Sequence, residues 1–376
     1  MYLKKLKLHD FRNYKVLNVT FNKGINIIYG SNAQGKTNLL ESIYVLGLTK
    51  SHRSFIDNSL IRNDSDYLTI EGIINNNKID NKFNIYIDNK QKVLKFNDNS
   101  IKKISDYISL MNIIIFYPDD LELIKNSPIV RRKYLNLELS QLYSNYLVVI
   151  NEYNKILKIR NEYLRRMNKG KSVDRNYLEI LTGYLIDKSI IIYKMRNKYI
   201  NKINESCKSI FEDIMGLDGF KIKYRPSIDL DLTRNDLDQY LKKEYNKKLD
   251  YDIKICMTSI GPHKDDFEFY LNDINLKYYG SQGQQRVAVL ALKLSEIEIF
   301  KKYKGTTPIL LLDDIFSELD DVKKNNLLKF ISKDIQTIIT TTDLNNLDKK
   351  LVRKSKLFNI NNGKVKKIKE VNLDEQ

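Results

Sequence analysis

The chain has 376 residues, enough for one large or two modest domains, and 42% of them are hydrophobic, which suffices for a sizeable core. A formal net charge of +17 favours a polyanionic partner, nucleic acid or an acidic membrane surface, but Lys is spread with Asn, Ile and Tyr through the whole chain, so part of the excess is read as solvated surface. Cys207 and Cys256 lie in no metal-ligand spacing, which excludes a zinc cluster or a disulfide framework. No apolar run approaches a membrane span, and the opening residues alternate, so the chain is read as soluble and cytoplasmic.

The opening reads as strands. Leu17, Val19 and Phe21 alternate with polar neighbours, Asn22-Lys23-Gly24 supplies a turn, and Ile25 to Tyr29 is a short apolar run entering Gly30. A helix is expected from about Thr37 to Leu46, then an antiparallel meander between Tyr67 and Phe96, broken by Asn75-Asn76-Asn77 and Asp88-Asn89. A buried strand from Asn112 to Tyr117 ends at Pro118. From Asp119 to Phe211 apolar residues recur at helical spacing, as in Leu135, Leu139, Leu142, Tyr146, Val149, Tyr153 and Ile156, with a turn composition at residues 168–172. A hairpin-like helical lobe is expected there, too short and irregular for extended coiled-coil arms.

Strands are expected at Tyr251–Met257 and Phe267–Leu271. A helix from Gly283 to about Tyr303, a very apolar strand at Ile309–Leu312, a helix near Lys323–Phe330 and a strand at Thr337–Thr341 complete an α/β pattern. The tail after Gly363 is basic and then acidic, a composition compatible with partial disorder. The expected organisation is a split head, residues 1–117 and 251–376, with a mainly helical lobe at 118–250 inserted into it.

Gly30-Ser31-Asn32-Ala33-Gln34-Gly35-Lys36-Thr37 fits the phosphate-loop pattern, with a strand before it and a helix after it. Backbone N–H groups of such a loop surround phosphates, Lys36 reaches the β and γ phosphates of ATP, and the Thr37 hydroxyl ligates Mg2+. Ile309 to Leu312 delivers Asp313 and Asp314 at a strand end; Asp313 would hold Mg2+ through water and Asp314 would orient or deprotonate the attacking water. The bland alternative is two solvated acids capping the next helix. Tyr279-Gly280-Ser281-Gln282-Gly283-Gln284-Gln285-Arg286 precedes a helix, and its residues alone leave two readings open, an anion site or a capped helix start.

With these residues assembled, the chain resembles the RecF family, in the SMC-like branch of the ATP-binding-cassette superfamily. The resemblance is carried by Phe11-Arg12-Asn13-Tyr14, the phosphate loop through Glu41, Ser51-His52-Arg53, Ser127-Pro128 with Arg131-Arg132, Gly261-Pro262-His263-Lys264-Asp265-Asp266, Ser281 to Arg286, Asp313-Asp314 and Ser317-Glu318-Leu319-Asp320. It implies an α/β, two-lobed ATP-binding-cassette-type P-loop ATPase head with an inserted mainly helical lobe. It further implies a homodimer bridged by two ATP molecules with Mg2+, slow DNA-stimulated hydrolysis, and binding of double-stranded or gapped DNA. The implied setting is DNA repair, replication and the SOS response, with RecO and RecR as partners in loading RecA. By the same resemblance Ser281, Gly283 and Gln284 face the partner's γ-phosphate, Arg12 lies close to the nucleotide and Asp320 lies at the dimer seam. Three departures matter: Lys264 where the family usually has Arg, Thr340 to Thr342 where transporter-type cassettes carry a switch histidine, and Asp314 in place of their Glu; the last two favour slow turnover. His52 and Arg53 are open between sensing nucleotide or DNA and a structural role, and the glutamine loop is not placed.

Three competing readings follow from parts of the pattern. A transport ATPase subunit would want the switch histidine and glutamine loop, a chromosome-organising scaffold would want long heptad arms, and a small-molecule kinase would leave Ser281 to Arg286 without a role.

Overall fold

The structure, a computed structural model, describes every residue except 55, 172–173, 318–320, 332–333 and 370–376. The strands in chain order are β1 (Tyr2–Phe11), β2 (Tyr14–Thr20), β3 (Ile25–Tyr29), β4 (Tyr67–Asn76), β5 (Ile79–Asp88), β6 (Lys92–Phe96), β7 (Asn99–Ile101), β8 (Ile113–Phe116), β9 (Phe220–Arg225), β10 (Asp266–Leu271), β11 (Ile274–Asn275), β12 (Ile309–Asp313), β13 (Thr337–Thr341), β14 (Lys356–Asn361) and β15 (Lys364–Lys369). The chain divides into two compact units. The first comprises residues 1–120, 210–216 and 289–376, and the second 121–209 and 217–288.

Two sheets build the first unit. One is antiparallel, in the order β2-β1-β4-β5-β6-β7; the other runs β15-β14-β3-β13-β12-β8, parallel from β14 to β8. Strand alternation turns Leu6, Leu8, Leu68, Ile70, Ile85 and Leu94 of the antiparallel sheet into the core, while β12 and β13 of the parallel sheet are buried on both faces. The helix Lys36–Leu48 is buried on nearly every side, which explains why its sequence lacks an amphipathic stripe. It approaches β4 so closely that a Cβ on Gly72 would lie 2.3 Å from Leu46 Cδ2. Gln336 joins the two sheets: its amide donates to Leu3 O at 2.8 Å and accepts from Leu3 N at 2.7 Å.

The second unit combines the helices Pro128–Leu142, Ser144–Asn168 and most of Arg175–Met215 with the sheet β11-β10-β9. Two buried ion pairs hold its centre. Arg160 Nη1 donates to Asp252 Oδ2 at 3.0 Å and to Thr258 Oγ1 at 2.7 Å, and Arg196 Nη1 donates to Asp265 Oδ2 at 3.0 Å and to Pro262 O at 2.6 Å. Removing one member of such a pair strands the other charge and costs about 3–5 kcal/mol.

Several expectations change here. Residues 251–257 form no strand; Leu249–Ile255 is a helix ended by Cys256 at φ 57°. The period-two pattern of Tyr251, Ile253 and Ile255 misleads because the residue that must be interior is Asp252, the partner of Arg160. Residues 251–288 fall in the second unit, although the sequence assigned them to the head, because β10 pairs along its length with β9, a strand the sequence did not reveal. After Asn361 the chain turns back as β15 on β14, so residues 364–369 are a strand. Among the described residues, no helix is long and apolar enough to cross a membrane.

Candidate nucleotide site

The parallel sheet sets the site through its register. Asp313 on β12 pairs with Thr340 on β13, and Thr341 pairs with Tyr29, the last residue of β3 before Gly30. All three strands therefore deliver their chemistry at the same C-terminal edge, where ligands of open α/β sheets bind. A cleft of about 230 Å³ opens there, lined by Asn32, Ala33, Gly35, Lys36, Thr37, Asn38, Arg53, Asp313, Asp314 and Thr340.

Within it Lys36 Nζ donates to Gly30 O at 2.6 Å and Ser31 O at 2.9 Å, curling back over its own loop. Burial lowers its ammonium from the ordinary range, against the pull of Asp314 and Asp313. Thr37 Oγ1 donates to Asp313 Oδ1 at 3.1 Å, and Thr340 Oγ1 donates to the same oxygen at 2.6 Å. Burial raises the Asp313 carboxyl above its usual range, opposed by those two hydroxyls and by the charge of Arg53. Asp314 takes a left-handed backbone at φ 52°, with its N–H donating to Thr340 Oγ1 at 3.0 Å. Its Oδ1 is buried with no hydrogen-bond partner among the described residues. A hydroxyl, a buried carboxylate and an orphaned carboxylate oxygen are hard oxygen donors. They suit Mg2+, which takes one or two protein oxygens and completes its shell with phosphate and water.

The outside of the phosphate loop is braced. Tyr14 OH donates to Gly35 O at 2.9 Å, Asn13 Nδ2 to Gln34 O at 3.1 Å, Gly363 N to Gln34 O at 3.1 Å and Asn362 N to Gln34 Oε1 at 2.7 Å. Gly35 sits at φ 114°, and a Cβ there would lie 2.6 Å from Asn13 Nδ2. Only glycine accepts both conditions.

Arg12 does not line the cleft. Its Nε and Nη2 fork onto Glu41 at 3.0 and 2.8 Å, and its Nη1 donates to Ser59 O at 2.8 Å. Glu41 also accepts from Ser51 Oγ, and Arg53 Nη1 lies 3.8 Å from it while donating to Asn38 Oδ1 at 3.1 Å. Burial works to raise Glu41, but the hydrogen bonds of Arg12 and Ser51 and the charges of Arg12 and Arg53 hold its carboxyl below the usual range. No motif spacing marks Glu41: a fully buried carboxylate on the phosphate-loop helix, flanked by two arginines, is defined by distances that the sequence does not carry. His52 is wedged between the rings of Tyr44 and Tyr117, and burial pushes it down to about 4. It is neutral near pH 7, and its surroundings are those of a packing residue.

Ser281, Gly283 and Gln284 belong to the second unit. Ser281 caps the helix Gln282–Lys304: Gln284 N donates to Ser281 Oγ at 3.2 Å, and Ser281 N donates to Gln284 Oε1 at 2.9 Å, a reciprocal capping box. The structure shows the capped start; the cap uses the Ser281 oxygen as acceptor and leaves the hydroxyl proton available at an exposed helix N-terminus. Three further motif residues of this unit make hydrogen bonds within it. Arg131 forks onto Asp266 at 2.6 and 2.9 Å, Arg132 donates to Asp265 O at 2.7 Å, and His263 is hydrogen-bonded to Tyr153 and to Thr258 O. Lys264 is exposed, and Asp320 lies outside the described residues.

Residues 2–366 match the family model for the RecF/RecN/SMC N-terminal domain. The chain is 38% identical to the DNA replication and repair protein RecF of Ligilactobacillus salivarius, covering 100% of both chains, and 41% identical to that of Streptococcus suis, covering 97% of this chain and 99% of the other. The chain belongs to the RecF family. A solved structure of the recombination mediator protein RecF with ATPrS, in the RecFOR pathway, superposes with a TM-score of 0.89 at 34% identity, covering 97% of each chain. A solved Smc head bound to the C-winged helix domain of ScpA matches at a TM-score of 0.56 and 19% identity, over 100% of this chain and 98% of that one; this likeness shows the shared head fold. RecF membership thus accounts for the phosphate loop, the acid pair and the capped Ser281 helix together.

Proposed function

We propose that this RecF-family chain is an ATP-gated, double-stranded-DNA-binding ATPase of the cytoplasm that pairs with a second copy around two Mg-ATP molecules, hydrolyses them slowly under DNA stimulation, and assists RecO and RecR in loading RecA at single-strand gaps. The observation that carries the reading is the chain of contacts from Thr37 through Asp313 and Thr340 to Asp314 at one sheet edge. Phosphates occupy the loop mouth where Lys36 Nζ now meets Gly30 O and Ser31 O. Bound Mg2+ neutralises charge on the phosphates. Thr37 and Asp313 hold it, while the orphaned Asp314 Oδ1 accepts a proton from, or orients, the attacking water. Thr340 to Thr342 stand where a switch histidine would be, and the Thr340 hydroxyl, which already donates to Asp313, is a poor proton shuttle, which supports slow turnover.

The exposed Ser281 N-terminus supplies an O–H donor and free N–H groups to the γ-phosphate held by the other copy. The test is anisotropy of a labelled duplex titrated with protein, with and without Mg-ATP, over a salt series, with Ser281→Arg as control. Salt-sensitive binding strengthened by ATP only in the wild type supports the reading. Binding indifferent to ATP and to Ser281→Arg refutes it.

A further inference from the structure

Tyr278 and Tyr279, directly before the Gly280-Ser281 turn, are 70% and 78% exposed, and their rings meet edge to face at 6.4 Å. Scattered single apolar residues on a surface need no explanation, but two adjoining tyrosines beside a functional helix start do. They have company within their own unit: Tyr278 and Pro128 line the same cleft of about 280 Å³, and Ile129, next in the chain, is 54% exposed. The backbone keeps the tyrosines beside the cap. They end the short helix Leu276–Tyr279, Gly280 N donates to Leu276 O at 3.1 Å, and the Gln285 amide donates to Leu276 O at 2.8 Å.

The first unit carries apolar exposure shortly after cleft-lining residues along the chain. Ile56 is 66% exposed, three residues beyond the cleft-lining Arg53, and its carbonyl accepts from Ser59 Oγ at 2.7 Å in the loop whose Ser59 O holds Arg12. Beyond the acid pair, Val322 is 68% exposed at the start of the helix Asp321–Phe330.

We propose that Tyr278, Tyr279 and Ile129 dock on the surface around Ile56 and Val322 of a second copy of this chain, forming the apolar ring of the ATP-bridged interface. The inference rests on the reading that Ser281 meets the partner's nucleotide. A helix N-terminus on a phosphate covers far less than the roughly 1,000 Å² that a specific interface needs, so the contact must recruit the surface around it. In a two-fold dimer this contact occurs twice, once for each of the two nucleotides. Tyrosine is the residue type for such a place, because its ring buries area and its hydroxyl stays hydrated while the surface is free.

The test uses the full chain with Mg-ATPγS and light scattering after gel filtration. Tyr278→Ser/Tyr279→Ser and, separately, Ile56→Ser should weaken dimerisation by about tenfold or more while leaving the monomer's nucleotide affinity within about twofold, and Tyr279→Phe should pair like the wild type. In a Cys256→Ser background, a mixture of Ile56→Cys and Tyr279→Cys chains should cross-link with a short bismaleimide only when nucleotide is present. If Ser281→Arg abolishes pairing but the double tyrosine variant pairs normally and the cysteines do not cross-link, the docking surface is wrong and the nucleotide-sandwich reading stands. Should Ser281→Arg pair normally too, that reading fails and takes the inference with it.

Discussion

Thr340 Oγ1 donates to Asp313 Oδ1 at 2.6 Å while accepting the backbone N–H of Asp314 at 3.0 Å, so one hydroxyl holds both acids of the site. Thr340→Val keeps the shape and removes both bonds. Steady-state kcat for ATP should fall by about tenfold or more, as for other supports of metal ligands, and Thr340→Ser should restore it. An unchanged kcat in the valine variant would show that the pair orients itself.

Asp314 Oδ1 is the buried oxygen in the cleft without a partner among the described residues, which makes it the acceptor for a reacting water. Asp314→Asn should bind ATP with affinity close to the wild type and hydrolyse it about a hundredfold more slowly, accumulating as dimer. Single-turnover hydrolysis measured beside gel filtration reads both effects, and normal hydrolysis would remove Asp314 from its role.

Gly35→Ala places a methyl 2.6 Å from Asn13 Nδ2 at φ 114°. The strain of about 1–3 kcal/mol falls on the loop that must close around phosphates, so ATP affinity by calorimetry should drop by about tenfold or more. Gly24→Ala is the control. Its Cβ would meet nothing within 4 Å, and neither affinity nor melting temperature should move.

His52 is held neutral at about 4 when folded, against 6.5 in its ordinary state. A depressed value means that the unfolded chain binds the extra proton first, so this contribution is complete above pH 6.5 and is lost as the pH falls toward 4. The difference between wild type and His52→Phe, from urea unfolding of each at pH 7 and pH 4.5, should therefore shift by about 2–3 kcal/mol in favour of the variant at the lower pH. ATPase activity between pH 7 and 8 should show no step that His52→Phe removes.

Much of this was legible in the sequence because it depends on short-range order. Ile25 to Thr37 and Ile309 to Asp314 each combine a buried strand with its chemistry in under fifteen residues, and both sit where that pattern implies. What escaped depends on partners far along the chain. Asp252 is interior because of Arg160, 92 residues away, and that pairing turned an apparent strand into a helix. β9 pairs with β10 across forty residues of intervening chain, so Phe220–Arg225 had no local signature. Arg12 illustrates the same limit within the site, since its neighbourhood is set by Glu41, 29 residues further along the chain on the loop helix.

The bracing of the phosphate loop by Asn362 and Gly363 ties the site to the order in which the chain is synthesised. Asn362 N and Gln34 Oε1 meet across 328 residues, and β3 lies between β13 and β14 in its sheet. A nascent chain on the ribosome thus carries a complete phosphate-loop sequence long before it can hold that loop in shape. Residues 121–288, which contain the whole second unit, emerge in one stretch, and that unit can fold first. Truncations that stop short of residue 356 should leave the β3 edge open, bind no nucleotide, and expose an unpaired strand to aggregation.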